Sequence, residues 1–117
     1  MNNKNKGSTG ENLVTTWLET QRYFILERNY RKQYGEIDII ACNGKTIAFI
    51  EVKTRIKPCT SIAQLVPLSK QKKIIKTALN YLSLQPKPNM IWRFDIALVN
   101  ETTILTYIQD AFTQQAY

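Results

Sequence analysis

Residues 36–54 read Glu-Ile-Asp-Ile-Ile-Ala-Cys-Asn-Gly-Lys-Thr-Ile-Ala-Phe-Ile-Glu-Val-Lys-Thr, two β-rich runs (36–42 and 46–54) around Asn43-Gly44. Asn-Gly between apolar runs is a strong hairpin signal, because both residues tolerate the positive φ of a type I′ turn. A two-residue loop there pairs Cys42 with Lys45, Ile40 with Ile47, Asp38 with Phe49 and Glu36 with Glu51. Side chains alternate faces along a strand. Ile37, Ile39, Ala41, Ala48, Ile50 and Val52 are therefore expected on one face, an apolar surface for a helix to cover. Glu36, Asp38, Glu51 and Lys53 are expected on the other.

On the N-terminal side, residues 1–9 are rich in Asn, Lys and Gly and are expected to be a flexible tail. From Glu11 the apolar residues Leu13, Val14, Trp17 and Leu18 fall on one helical face, with Ser8 or Thr9 as cap, predicting a helix to about residue 21. Residues 23–31 mix aromatic and β-branched side chains with charges and read as a strand. On the C-terminal side, Pro58 and Pro67 mark residues 57–67 as loop. Ser69 is the expected N-cap of a helix over 69–84, with Ile74, Ile75, Ala78, Leu79 and Leu82 on one arc and Lys72, Lys73 and Lys76 opposite. Residues 91–99 and 104–108 are two more strands, and 110–117 is ambiguous. The order α-β-β-β-α-β-β defines an α/β fold with a mixed central β-sheet flanked by helices.

The chain has 117 residues, 44% hydrophobic and 21% charged, which suits one globular domain over 10–117. No apolar run approaches the roughly 20 residues that span a bilayer, and the start lacks a signal-peptide core, so the expected setting is cytoplasmic, with no membrane partner. Cys42 and Cys59 lack paired-ligand spacing. Sixteen Lys and Arg against nine Asp and Glu give a net charge of +7, which favours an anionic partner, nucleic acid first. There is no histidine, which excludes His-based general base catalysis, Ser-His-Asp triads and His-ligated zinc. Any chemistry must come from carboxylates, lysines, hydroxyls or thiols.

Carboxylates gathered on one strand face repel, and a divalent cation removes that repulsion. Carboxylate, backbone carbonyl and water oxygens suit Mg²⁺ or Mn²⁺. Lys53 points to the same face and would hold a water or steady charge on a phosphate. Taken alone, Glu51-Val52-Lys53 is also an ordinary alternation on an exposed strand. The combination weighs more: Asp38 stands on the partner strand, twelve residues intervene before Glu51, and a helix with its own acid, Glu11, precedes the hairpin.

The spacing of Asp38 to Glu51-x-Lys53 resembles the core motif of the PD-(D/E)xK nuclease superfamily, and especially the archaeal Holliday-junction resolvases. More closely, Gly10-Glu11, Arg28-Asn29, Gly35-Glu36-Ile37-Asp38-Ile39-Ile40-Ala41, Phe49-Ile50-Glu51-Val52-Lys53-Thr54-Arg55, Arg93-Phe94-Asp95 and Ala111-Phe112 resemble the YraN-like bacterial family, in order and over nearly the whole chain. The resemblance implies a restriction-endonuclease-like fold. It implies that Asp38, Glu51 and the Val52 carbonyl bind the metal, that Lys53 positions the attacking water, and that Glu11 reaches toward the metal. Glu11 reads equally well as a first-turn acid that complements the helix dipole. Two departures are visible: Ile37 replaces the proline that names the superfamily, and Gln64 stands where an acid is expected. Resolvases that cut both strands symmetrically act as dimers, so the resemblance allows a homodimer, although the sequence carries no dimer signature.

Arg28, Arg31 and Lys32 before the hairpin, Arg55 and Lys57 after it, and Lys70 and Lys73 on the second helix are the candidate phosphate contacts. The helix lysines read equally as a solvated face. Tyr30 and Tyr34 are candidates for base stacking or for core, core being favoured; Trp17, Trp92, Phe94 and Phe112 are assigned to packing. The leading expectation is a metal-dependent DNA endonuclease acting on branched DNA in repair or recombination. The alternatives are a noncatalytic nucleic-acid-binding or assembly module and an adaptor for another protein.

Overall fold

In a computed structural model, five strands form one sheet in the order β1-β2-β3-β4-β5: β1 (Phe24–Lys32), β2 (Gly35–Asn43), β3 (Thr46–Thr54), β4 (Ile91–Val99) and β5 (Ile104–Phe112). The structure describes residues 3–54, 61–85 and 89–113. Helix α1 (Asn3–Thr20) precedes the sheet, and α2 (Ile62–Leu65) and α3 (Leu68–Ser83) lie between β3 and β4. The β1–β2, β2–β3 and β4–β5 pairs are antiparallel, and β3–β4 is parallel. A parallel pair cannot be joined by a tight turn and needs a crossover, which is the segment that carries α2 and α3. The expected mixed α/β order is borne out, with α2 as an extra turn.

Both faces of the sheet are covered. Val14 and Leu18 of α1 pack on Ile39, Ala41, Ala48, Ile50, Ala97 and Val99. On the opposite face Ile74, Ile75, Ala78 and Tyr81 of α3, with Leu65 and Val66, pack on Ile37, Ile40, Ile47, Phe49, Phe94 and Ile96. The second face was expected to carry the acids, yet its central positions are a core. Phe94 and Phe112 stack with ring centroids 5.0 Å apart there, and Trp92 and Trp17 are half-buried, so the four aromatics assigned to packing do pack.

Three local readings are corrected. The hairpin loop is Gly44-Lys45, because Asn43 pairs with Thr46. Gly44 has φ 61, while neither Asn43 nor Lys45 has positive φ, which is the type II′ pattern. The register therefore moves by two residues from the type I′ expectation. A shift of two residues does not itself move any side chain to the other face, but it changes who stands opposite whom. Helix α1 begins at Asn3 and not near Glu11; its first turns lack apolar residues, so periodicity cannot reveal them. Helix α3 begins at Leu68 with Pro67 as N-cap, making no side-chain cap, and Ser69 lies inside the first turn. Pro at that position satisfies the preorganised φ without needing an N–H donor. Its buried stripe is Gln71, Ile74, Ile75, Thr77, Ala78 and Tyr81, while Leu79 is exposed.

A fourth correction locates the site. Ile37 shares the α3-side core with Ile40, whereas regular alternation would place it with Ile39 on the α1 side. The alternation slips at Asp38. Across the β1–β2 ladder, between Arg28↔Ile39 and Tyr30↔Ile37, stands Asn29 with φ 54, a left-handed conformation that Asn adopts more readily than most residues. Glu36, expected beside the other acids, turns outward and pairs with Arg31 at 2.9 Å on the surface.

Gly35 lets β2 pass against α3. A Cβ there would lie 2.7 Å from Thr77 Oγ1 and 3.0 Å from the Lys73 carbonyl oxygen. Gly35→Ala is expected to lower stability by about 1–3 kcal/mol, read from the urea midpoint. Adding Thr77→Ala should recover only part of the loss, since the carbonyl is backbone and cannot move aside.

Candidate functional site

The β2–β3 ladder runs from Asn43↔Thr46 to Ile39↔Ile50. Below that point β2 continues along β1 as far as Gly35, and β3 continues along β4 as far as Thr54. The next link between β2 and β3 is not a backbone pair: the Val52 N–H donates to Asp38 Oδ2 at 2.8 Å. Continuing the register by one pair sets Asp38 opposite Glu51, where the sequence reading had Phe49. The two carboxyl groups act on each other's charge.

Two ammonium groups complete the cluster. Lys70 Nζ, from the first turn of α3, lies 2.6 Å from Glu51 Oε2, and Lys53 Nζ lies 3.8 Å from the same oxygen. Glu51 is only 5% exposed. Its Oε2 has ionic neighbours but, like Glu11 Oε1, no directed hydrogen-bond donor among the described residues. Glu11, on α1, sits 3.5 Å from Arg28 Nη2 of β1. It is near enough for its charge to act on Asp38. Among the described residues no three Asp, Glu or Cys side chains form a ready cation cluster.

Burial first, then the hydrogen bond and negative charge of Glu51, push the Asp38 carboxyl up to about 8, against the pull of the Val52 N–H. Burial would also raise Glu51, but Asp38, Lys70 and Lys53 outweigh it and hold that carboxyl below its ordinary range. One proton thus stays with Asp38 while Glu51 is ionised. Burial, with Lys70 as a like-charged neighbour, lowers the Lys53 ammonium. Burial also disfavours charge on Lys70, but Glu51 more than compensates and raises it.

The structure therefore brings Asp38, Glu51, Lys53 and Lys70 together and keeps Glu11 alongside, tied to Arg28. It disperses the remaining candidates. Arg31 is engaged by Glu36, Lys32 lies over the Tyr30 ring at 5.3 Å, and Lys73 is exposed on α3 with Lys76. Arg55 and Lys57 lie outside the described residues. Tyr30 is held in the core side of the sheet by a 2.7 Å bond to Asn80 Oδ1 and an edge contact with Tyr81, as its core reading required. Tyr34 sits under Lys76 at 4.4 Å.

Lys70 had been read only as a phosphate contact. Ile74 lies on the sheet-facing arc and position i−4 from it falls on the same side of the helix, which places Lys70 on that side but does not name Glu51 as its partner. Gln64 also gains a physical role. It closes a capping box at α2, its Oε1 accepting from Ser61 N at 3.2 Å while Ser61 Oγ accepts from Gln64 N at 3.3 Å. Glu and Gln serve this motif alike, so the missing acid is no loss to the helix.

A separate polar network lies on the α1 side. Asp95, fully buried, accepts from Arg93 Nε at 3.0 Å, Tyr107 OH at 2.6 Å and Asp110 N at 2.9 Å, and Arg93 donates on to Tyr23 OH. Burial and Asp95 push the Tyr107 phenol far up. Both oxygens of Asp95 are engaged within the fold, so the network ties β5 and the link between α1 and β1 to β4, on the sheet face opposite α3.

A mixed sheet whose central strands part around a buried carboxyl pair and two lysines defines the class, an α/β domain with a buried acidic site. The model of the uncharacterised protein family UPF0102 matches residues 10–99. Similar proteins of that family include one from Geobacter metallireducens, 50% identical over 97 residues covering 82% of this chain and 80% of the relative. Another, from Geotalea daltonii, is 39% identical with 94% and 91% covered, and one from Alkaliphilus metalliredigens is 37% identical with 93% and 98% covered. The chain belongs to the UPF0102 family, the YraN-like family of the sequence resemblance.

The raised Asp38 carboxyl has a measurable consequence. Between the free-chain value of 3.8 and about 8, the folded protein holds one more proton here than the unfolded chain, so this group's contribution to stability declines as pH rises through that range. Glu51, lowered, acts in the opposite sense only at acid pH. Asp38→Asn keeps an acceptor for the Val52 N–H and removes the titration. Its Tm should exceed that of the wild type by a margin that grows from pH 5 to pH 8; a margin independent of pH would contradict the assignment.

Proposed function

We propose that this chain is a metal-dependent endonuclease that hydrolyses phosphodiester bonds in DNA, with branched DNA as the substrate class. The observation that carries this reading is the buried Asp38–Glu51 pair, capped by the Val52 N–H, beside Lys53 and Lys70 where β2 and β3 part. Four polar groups in a crowded, partly buried place cost stability and need a functional reason.

The donor set fits Mg²⁺ or Mn²⁺. Two carboxyl groups that share one proton are chemically suited to exchange it for a divalent cation, and Glu51 Oε2 is a buried oxygen without a directed donor. Magnesium commonly uses one or two carboxylates, taking its other oxygens from water and substrate phosphate. Asp38 and Glu51 would hold the ion, with the Val52 carbonyl beside them and Glu11 adding negative charge from α1. Bound there, the ion would polarise a phosphoryl oxygen and ease deprotonation of water. Lys53, projecting from β3 two residues after Glu51, positions the attacking water and receives charge from the phosphate. The +7 net charge draws nucleic acid, and Arg28 and Lys70 at the site, with Arg31, Lys32 and Lys73 elsewhere on the surface and the sequence candidates Arg55 and Lys57, are its proposed phosphate contacts.

A second reading, a noncatalytic nucleic-acid-binding or assembly module with the same fold, draws on one observation. Glu11, the acid expected to reach toward the metal, is instead paired with Arg28 at 3.5 Å. A panel of branched, flapped and linear DNAs separates the two. The endonuclease reading expects cleavage that requires Mg²⁺ or Mn²⁺, falls about 10²–10³-fold in Lys53→Ala and vanishes in Asp38→Asn. Cleavage retained in full by both variants overturns the site. Salt-dependent binding with no cleavage of any substrate selects the noncatalytic module.

A further inference from the structure

Lys70 holds an ion-pair position that its sequence does not announce. It reaches from a different element than the hairpin, and its Nζ approaches Glu51 Oε2 more closely than Lys53 does, 2.6 against 3.8 Å. That oxygen is buried and has no directed hydrogen-bond donor. A cation held by Asp38 and Glu51 would thus meet an ammonium already seated at one of its ligand atoms. Two positive charges within about 4 Å repel strongly wherever water is scarce. One must leave.

The two lysines differ in freedom. The Lys53 side chain is 23% exposed and anchored on a central strand; that of Lys70 is 40% exposed on the first turn of a surface helix. Its long flexible stem can swing its ammonium outward without moving backbone. Lys70 is therefore the group that yields.

We infer that Lys70 is a built-in counter-ion of the site, which occupies Glu51 in the metal-free protein, competes with the divalent cation for that carboxylate, and swings outward when the cation binds. The inference rests on the proposed cation site at Asp38 and Glu51. It makes Lys70 a positioning residue: it keeps Glu51 ionised and oriented while the cation is absent, and so sets the concentration at which the site loads. Neutralising an ordinary surface lysine would leave cation affinity nearly unchanged, and loss of a purely structural lysine would weaken it. Removal of a competitor strengthens it.

The test uses the full chain and Mn²⁺ alone, with binding followed by loss of the free-ion paramagnetic resonance signal at fixed pH and low salt. Lys70→Met is expected to bind Mn²⁺ at least about tenfold more tightly than wild type. Lys70→Arg should keep the wild-type affinity, and Asp38→Asn and Glu51→Gln should lose binding. In parallel, reductive methylation of Lys70, read by mass spectrometry, should accelerate when Mn²⁺ is added to the wild type. Equal or weaker Mn²⁺ binding by Lys70→Met, while Asp38→Asn still abolishes binding, overturns the competition and leaves the cation site standing. Mn²⁺ binding that is absent from the wild type, or unaffected by Asp38→Asn and Glu51→Gln, overturns the cation site and the inference with it. A methylation rate unchanged by saturating Mn²⁺ overturns the outward swing.

Discussion

The bond from the Val52 N–H to the Asp38 carboxyl is the contact on which the site depends. It falls where two central strands stop pairing, and it does the work of the missing backbone link. An amide left bare at that depth would cost about 1–3 kcal/mol, so the parting of β2 and β3 persists only because a side chain caps it. That carboxyl cannot be exchanged for an apolar group without closing or unsealing the gap. The residue that supports the opening is the same one that meets Glu51 across it, which couples architecture to chemistry at a single position.

The surrounding elements hold this opening at fixed width. On one side β2 follows β1, where Asn29 turns left-handed opposite Asp38 and shifts the alternation so that Ile37 drops into the α3-side core. On the other, β3 is locked in register with β4 along its full length. Gly10 allows α1 to close against the ends of β3 and β4: a Cβ there would stand 3.1 Å from Val99 Cγ2 and 3.5 Å from Val52 Cγ1. The next residue, Glu11, is thereby delivered to the edge of the acidic pair. On the α1 face, beside Ile50 across the β3–β4 ladder, the fully engaged Asp95 network clamps β5 to β4.

Much of this was legible in the chain. Period-two alternation marked the strands, and the acids Asp38 and Glu51 came to neighbouring positions under either hairpin register, because a shift of two residues preserves the faces. What could not be read were features set by tertiary contact. Whether Asn43 or Gly44 opens the turn depends on which register packs better, not on turn propensity. The slip at Asp38 is written in the backbone of Asn29 on another strand, and the outward turn of Glu36 follows from it. Lys70 lay hidden among four helix lysines because its partner is separated from it by the whole crossover. The short α2 escaped because four residues carry no period, although Ser61 and Gln64 held its capping box in plain sight.

The crossover between β3 and β4 also imposes an order in time. Asp38 and Glu51 belong to one hairpin, whose closure spans a two-residue loop, whereas Lys70 arrives on a helix that docks only as β4 returns to pair in parallel with β3. Contacts near in sequence form before those that close long loops. The acidic pair is thus assembled early and its positive partner late. On a ribosome, where the hairpin emerges ahead of α3, the nascent chain presents two close carboxyl groups with no lysine from the crossover to balance them.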